Sequence, residues 1–151
     1  MFRGVNIVSL DAKGRFAMPT RYREELAACC SSKLVATVDH DHCLLIYPFP
    51  EWEEIERKLV KLPSFNRQAR SLQRLLIGHA TELDMDNNGR LLLTSPLRNF
   101  AGLDKKAVLI GQGNKFELWD EEVWNKKCDQ WFEEGGMDSD SLPPEMESLS
   151  L

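Results

Sequence analysis

An arginine held at the tip of a tight turn can offer its planar, permanently charged fork to a phosphate or to a guanine edge. This chain holds two such arginines in matching settings. Leu10-Asp11-Ala12-Lys13-Gly14-Arg15-Phe16 and Met85-Asp86-Asn87-Asn88-Gly89-Arg90-Leu91 each read apolar, Asp-x-x-Gly-Arg, apolar. The pattern describes a turn between two β-strands. The Asp carboxylate accepts turn N–H groups, the Gly takes a backbone position with positive φ, and the Arg opens the return strand. Taken singly, it is an ordinary structural hairpin. Taken twice, it marks a duplicated unit.

The duplication extends past the turns. From Asp11 to Asp86 the offset is 75 residues, and Arg23 and Arg98 keep it. A proline closely follows each turn (Pro19, Pro96). Tyr47 with Trp119 and Trp52 with Trp124 match at an offset of 72, so the second copy has lost three residues on balance. The chain is therefore read as residues 1–50, a first unit; 51–77, linking helices; 78–124, a second unit; and 125–151, a helix end with an acidic tail expected to be disordered.

Between the turns, the elements follow from periodicity. Residues 5–10 and 16–18 flank the first turn, and residues 20–29 form a short helix with Tyr22, Leu26 and Cys29/Cys30 on its apolar stripe. Residues 34–38 and 43–47 are strands around a His-rich loop. A helix over 51–62 follows Pro48-Phe49-Pro50, with Glu51, Glu53 and Glu54 at its start and Arg57, Lys58 and Lys61 near its end, matching the helix dipole. A second helix over 65–77 puts Leu72, Leu75 and Leu76 on one side and Arg67, Arg70 and Arg74 on another, the latter read as a solvated face. Gly78 opens the second unit. Residues 80–85 and 90–94 flank its turn, Ser95 caps a short helix that Gly102 closes, and 108–112 with 115–119 form a hairpin. A last helix runs from Asp120 to Gly135-Gly136.

Composition narrows the chemistry. With 42% apolar and 28% charged residues, the chain is an ordinary globular one, and no stretch has the length of a membrane span. The start, Met1-Phe2-Arg3-Gly4, lacks the apolar run of a signal peptide, so the expected location is the cytoplasm. Net charge is −5, yet residues 120–151 carry ten acidic against two basic groups, leaving a mildly basic body. A local basic patch on that body is compatible with a phosphate-bearing partner. The four cysteines form no Cys-x-x-Cys pair and read as reduced thiols. His40, His42 and Cys43, with Asp39 and Asp41, could ligate a metal, but no second ligand pair accompanies them, so a polar loop is the expected reading. Trp52, Trp119, Trp124, Trp131 and Phe132 recur at helical spacing and read as packing. No Gly-x-Ser-x-Gly, Walker or paired zinc spacing occurs, so neither an enzyme, a cofactor nor a small-molecule substrate is expected.

The motifs together resemble the bacterial MraZ family: Met1-Phe2-Arg3-Gly4, the first turn, Pro19-Thr20-Arg21-Tyr22-Arg23, Leu44-Leu45-Ile46-Tyr47-Pro48, Gly78-His79-Ala80, the second turn, and Asn114-Lys115-Phe116-Glu117-Leu118-Trp119. The resemblance covers residues 1 to about 124. It implies an α+β fold of two tandem swapped-hairpin, AbrB-like units, interlocked as an intrachain pseudo-dimer into a small double-psi-like barrel with flanking helices. It implies a DNA-binding, nucleoid-associated repressor of its own promoter and of the division and cell-wall gene cluster, acting on direct repeats of double-stranded DNA as a ring homo-oligomer. The family's Asp-x-x-x-Arg motif falls on Asp11 with Arg15 and on Asp86 with Arg90. Lys13, Arg3, Arg21 and Arg23 are the accompanying phosphate-contact candidates, and Lys13 has no basic counterpart at Asn88. A ring scaffold that recruits proteins, or an antitoxin-like partner-binding protein, is the alternative that the acidic tail keeps open.

Overall fold

Alternation of buried and solvent-facing residues makes the first strand, Phe2–Ser9 (β1): Phe2 and Val8 enter the core, while Val5 and Ile7 face solvent. It starts earlier in the chain than periodicity indicated, because its backbone pairs along its whole length with Lys106–Gly113 (β7). The computed structural model describes residues 1–134 and 143–149. Between β1 and β7 lie Arg15–Ala17 (β2), Thr20–Cys30 (α1), Lys33–Val38 (β3), Leu44–Pro48 (β4), Phe49–Val60 (α2), Arg67–His79 (α3), Thr81–Asp84 (β5), Arg90–Leu92 (β6) and Ser95–Ala101 (α4). Phe116–Asp120 (β8), Glu121–Glu133 (α5) and a 3-10 segment, Pro144–Leu149, complete the order. The chain is α+β. Residues 1–121 make one compact unit, and a second begins at Glu122. The end expected at Gly135-Gly136 and most of the expected disordered tail lie outside the described residues.

Six strands form one antiparallel sheet in the order β1-β7-β8-β4-β3-β5, and β2 and β6 form a separate two-stranded ribbon. Exchange each strand of the first half for its counterpart in the second (β1 for β5, β2 for β6, β3 for β7, β4 for β8) and the sheet order is unchanged. The two halves are joined by reciprocal backbone bonds: Met18 N–H donates to the Gly89 carbonyl at 2.8 Å, and Leu93 N–H to the Gly14 carbonyl at 2.9 Å. Neither half closes a sheet by itself. In hydrogen-bond terms the expected barrel is an open sheet ending at β1 and β5 plus the ribbon, because β2 and β6 are three residues each and pair only with one another.

Strands β3 and β4 are near-continuous apolar runs because both of their faces are covered. Leu34, Ala36, Val38, Leu44 and Ile46 join the main core with Phe16, Leu91 and Phe116. Val35, Leu45 and Tyr47 face the other way, onto Trp52 and Leu59 of α2. Thr37, the buried polar residue of β3, donates its hydroxyl to the Leu76 carbonyl of α3 at 2.6 Å.

Helix boundaries differ from the periodicity in ways that capping explains. α2 begins at Phe49, with Pro50 in its first turn. α3 begins at Arg67 because Asn66 accepts the Ala69 N–H at 3.0 Å, and it runs through Gly78 to His79 instead of ending before Gly78. Leu76 of α3 packs against the second core cluster, whereas Leu72 and Leu75 are exposed. Thr94, not Ser95, occupies the cap position of α4, and Gly102 ends that helix in the left-handed conformation as expected.

Candidate nucleic-acid interface

Each turn is built around one carboxylate. In the first, Asp11 Oδ1 accepts the Lys13 N–H at 3.0 Å and the Arg15 N–H at 2.9 Å, and Oδ2 accepts Arg15 Nε–H at 2.8 Å. In the second, Asp86 Oδ1 accepts the Asn88 N–H at 2.9 Å and the Arg90 N–H at 2.8 Å, and Oδ2 accepts Arg90 Nε–H at 3.1 Å. The same two backbone bonds close both loops: Gly14 N–H to Asp11 O with Asp11 N–H to Arg15 O, and Gly89 N–H to Asp86 O with Asp86 N–H to Arg90 O. Donation by the Arg15 and Arg90 backbone N–H groups, reinforced by their guanidinium groups, holds both carboxyls below the ordinary aspartate range despite some desolvation.

That pairing leaves a particular part of each arginine available. Nε is committed to the aspartate, and among the described residues no protein acceptor takes the Nη groups of Arg15 or Arg90. Ribbon register then decides which way they face. Arg15 is opposite Leu92, Phe16 opposite Leu91, and Ala17 opposite Arg90. Phe16 and Leu91 are buried, so Arg15, Ala17, Leu92 and Arg90 share the outward face. Both arginines, distant in sequence, stand on one face of one ribbon.

The turns are braced across the two halves. Gly14 has φ +87° and Gly89 φ +76°, conformations that favour glycine. A Cβ on Gly14 would lie 2.6 Å from Nε of Arg98, and one on Gly89 would lie 2.3 Å from the guanidinium carbon of Arg23. The arginine of each half's short helix thus lies against the turn of the other half. Arg23 Nε–H donates to the Met18 carbonyl at 2.7 Å. Arg98 Nη2 donates to Ser95 Oγ at 3.1 Å, while its buried Nε has no partner among the described residues.

The remaining candidates are placed differently. Lys13 is exposed at the tip of the first turn. Arg21 is exposed over Gly4 and stacks on the Tyr22 ring, with Nη2 donating to Asn6 Oδ1 at 2.6 Å. Arg3 is exposed on β1, and its carbonyl accepts the Tyr22 hydroxyl. Arg23 is half-buried behind the second turn, so geometry makes it a brace before it is a surface contact. Sequence reasoning passed over Asn6, which orients Arg21, and the role of Arg98. The signal for Arg98 was its 75-residue offset from Arg23.

The His-rich loop is structured by its own side chains. Cys43 is buried and its thiol donates to Asp39 at 3.7 Å; burial and the neighbouring carboxylates push it far above the ordinary thiol range. His42 stacks on Phe100 with centroids 4.8 Å apart. Among the described residues, no three His, Cys, Asp or Glu side chains are grouped so as to hold a metal ion, and no helix is long and apolar enough to cross a membrane.

The family model described as "MraZ protein, putative antitoxin-like" matches the chain twice, over residues 1–75 and 76–141. Proteins named "Transcriptional regulator MraZ" align over the full length of both chains: 58% identical in Thioalkalivibrio sulfidiphilus, 57% in Halorhodospira halophila and 53% in Legionella pneumophila. That name belongs to a class of regulators, not of enzymes.

Proposed function

Because the chain belongs to the MraZ family, we propose that it is a transcriptional regulator that binds double-stranded DNA sequence-specifically through the ribbon bearing both Asp–Arg turns. The observation that carries this reading is the convergence of Arg15 and Arg90 on one outward face, each with Nε tied to an aspartate and its Nη groups available. A two-stranded ribbon fits the major groove, about 12 Å wide, and an arginine there recognises guanine O6 and N7 with two parallel bonds. Fixing Nε to Asp11 or Asp86 orients the fork before DNA arrives, which lowers the ordering cost of binding. The exposed cations Lys13, Arg21 and Arg3 contact phosphates, which positions the ribbon without reading sequence. Arg23 and Arg98 hold the turns from behind.

On this reading the two halves form a swapped-hairpin pseudo-dimer, and the regulated DNA is the chain's own promoter together with the division and cell-wall cluster. The pseudo-symmetric strand order supports the first element. The sheet's edges are unlike: β1 is eight residues long and β5 four. Unlike edges favour head-to-tail contacts, which close into a ring when the rotation between neighbours permits, and such a ring suits direct repeats. A stable monomer in light scattering at micromolar concentration would count against the ring.

The main test is a gel-shift titration on DNA upstream of the chain's own gene, at two salt concentrations with competitor. Wild type is expected to select that DNA, with affinity falling as salt rises. Arg15→Ala with Arg90→Ala is expected to lose selection, at about 1–3 kcal/mol for each bidentate contact removed. Unchanged selection by the double variant would exclude the assignment of these arginines as readers. If neither wild-type nor tail-deleted protein selects the DNA, a protein-interaction scaffold becomes the better account.

A further inference from the structure

The two turns have matching backbones but not matching surroundings. Beside the first is an open notch of about 440 Å³, bounded by Asp11 and Gly14 of the turn and by the corner between α4 and β7. Lys105 and Lys106 line that corner, and the charged side chain of Arg98 contributes to the wall. The backbone holds them there: Leu10 N–H donates to the Lys105 carbonyl at 2.9 Å, and Lys106 pairs with Ser9 at the end of β1. Lys106 Nζ donates to Ser9 Oγ at 2.8 Å, a neutral partner that leaves its charge uncompensated. Asp104 also lines the notch, and Asp11 is already committed to Arg15. With Lys13 at the turn tip, the surroundings are cationic on balance.

The equivalent place beside the second turn is different. Met85 N–H donates to the Ser32 carbonyl and Lys33 pairs with Asp84, so Ser32 stands where Lys105 does, Lys33 where Lys106 does, and Asp84 where Ser9 does. Lys33 is engaged by Glu82 at 3.9 Å and lies over the Phe49 ring. Asn88 replaces Lys13. Arg23 stands behind the second turn as Arg98 stands behind the first, so the turns differ by the free charges of Lys13, Lys105 and Lys106, which among the described residues have no uncompensated counterpart at the second.

We propose that Lys105 and Lys106 form a phosphate-anchoring shelf that works with the first turn alone, so that the two turns divide the labour of DNA binding. The surroundings of the first turn, built from both halves, supply most of the sequence-independent attachment to the backbone, and the second turn contributes mainly base selection. This rests on the DNA-binding reading above. It adds a contact site on a different part of the chain from the Asp–Arg motif, and a polarity that the duplicated motif by itself does not contain.

The test uses full-length protein and fluorescence anisotropy with two duplexes, the upstream sequence and a scrambled one, over a salt series. Lys105→Ser with Lys106→Ser is expected to weaken binding to both duplexes by a similar factor, leaving their ratio unchanged. Each lost phosphate contact removes about 0.9 from the slope of log affinity against log salt, so the pair removes about 1.8, or roughly twelvefold less affinity loss across a fourfold rise in salt. Ser32→Lys with Asp84→Ser, which rebuilds the shelf beside the second turn, is expected to steepen the slope. An unchanged slope in the lysine variant, with wild-type selection intact and an unchanged melting temperature, would overturn the shelf while leaving the regulator reading standing. Failure of the wild type to select the upstream duplex removes both.

Discussion

Asp11 and Asp86 do two jobs with one carboxylate: they close the turn backbone and orient an arginine. Since both carboxyls titrate below their ordinary value, the sign of their pH dependence follows. Their contribution is fully present above the unfolded value of about 3.9 and is lost as pH falls through the lowered native value. Asp11→Asn should therefore melt below wild type at neutral pH, with the difference shrinking as pH drops below about 5; a pH series of thermal melts checks this. Gly14 gives a second prediction at this scale. Gly14→Ala incurs both the left-handed backbone cost, about 1–2 kcal/mol, and a clash with Arg98. Adding Arg98→Ala should recover the clash but not the backbone term, so a double-mutant cycle by urea denaturation should show favourable coupling between the two changes.

At the scale of elements, β3 and β4 carry the load because they are buried on both faces. Cys43 opens this region from the loop side with a fully buried thiol held far above its ordinary range. Thiolate is the reactive form, so Cys43 should resist a thiol reagent in the native protein and react only on unfolding, as followed by mass spectrometry of the labelled peptide. Cys29, pushed up to about 11 by desolvation and by Cys30 beside it, should also react slowly despite its surface position. Element type was legible because periodicity is local: Tyr22 and Leu26 in α1 and the apolar runs of β3 and β4 announce themselves. Element ends were less so. Asn66 capping α3 and Thr94 preceding α4 depend on backbone geometry that several nearby polar residues could have supplied.

For the molecule as a whole, the exchange of strands between the halves predicts that neither half folds by itself. β1 finds its partner in β7, β5 finds its partner in β3, and the ribbon takes one strand from each half. A fragment of residues 1–77 should therefore lack native-like structure alone and regain it when mixed with residues 78–134, with circular dichroism and near-ultraviolet signals as the readout. A fragment that is folded and monomeric by itself would contradict the interdependence of the halves.

The sequence alone determined the two Asp-x-x-Gly-Arg turns, their repetition, the helix and strand types, and the resemblance to a family that the matches over residues 1–75 and 76–141 identify. These depend on neighbours within a few positions, or on comparing the chain with itself. Only the tertiary structure decided that Arg15 and Arg90 share a ribbon face, that Arg23 and Arg98 brace each other's turns, and that Lys105 and Lys106 flank the first turn where Ser32 and a Glu82-engaged Lys33 flank the second. Those relations are set by strand register between segments far apart in the chain, and a register shift of one residue would turn every side chain to the opposite face.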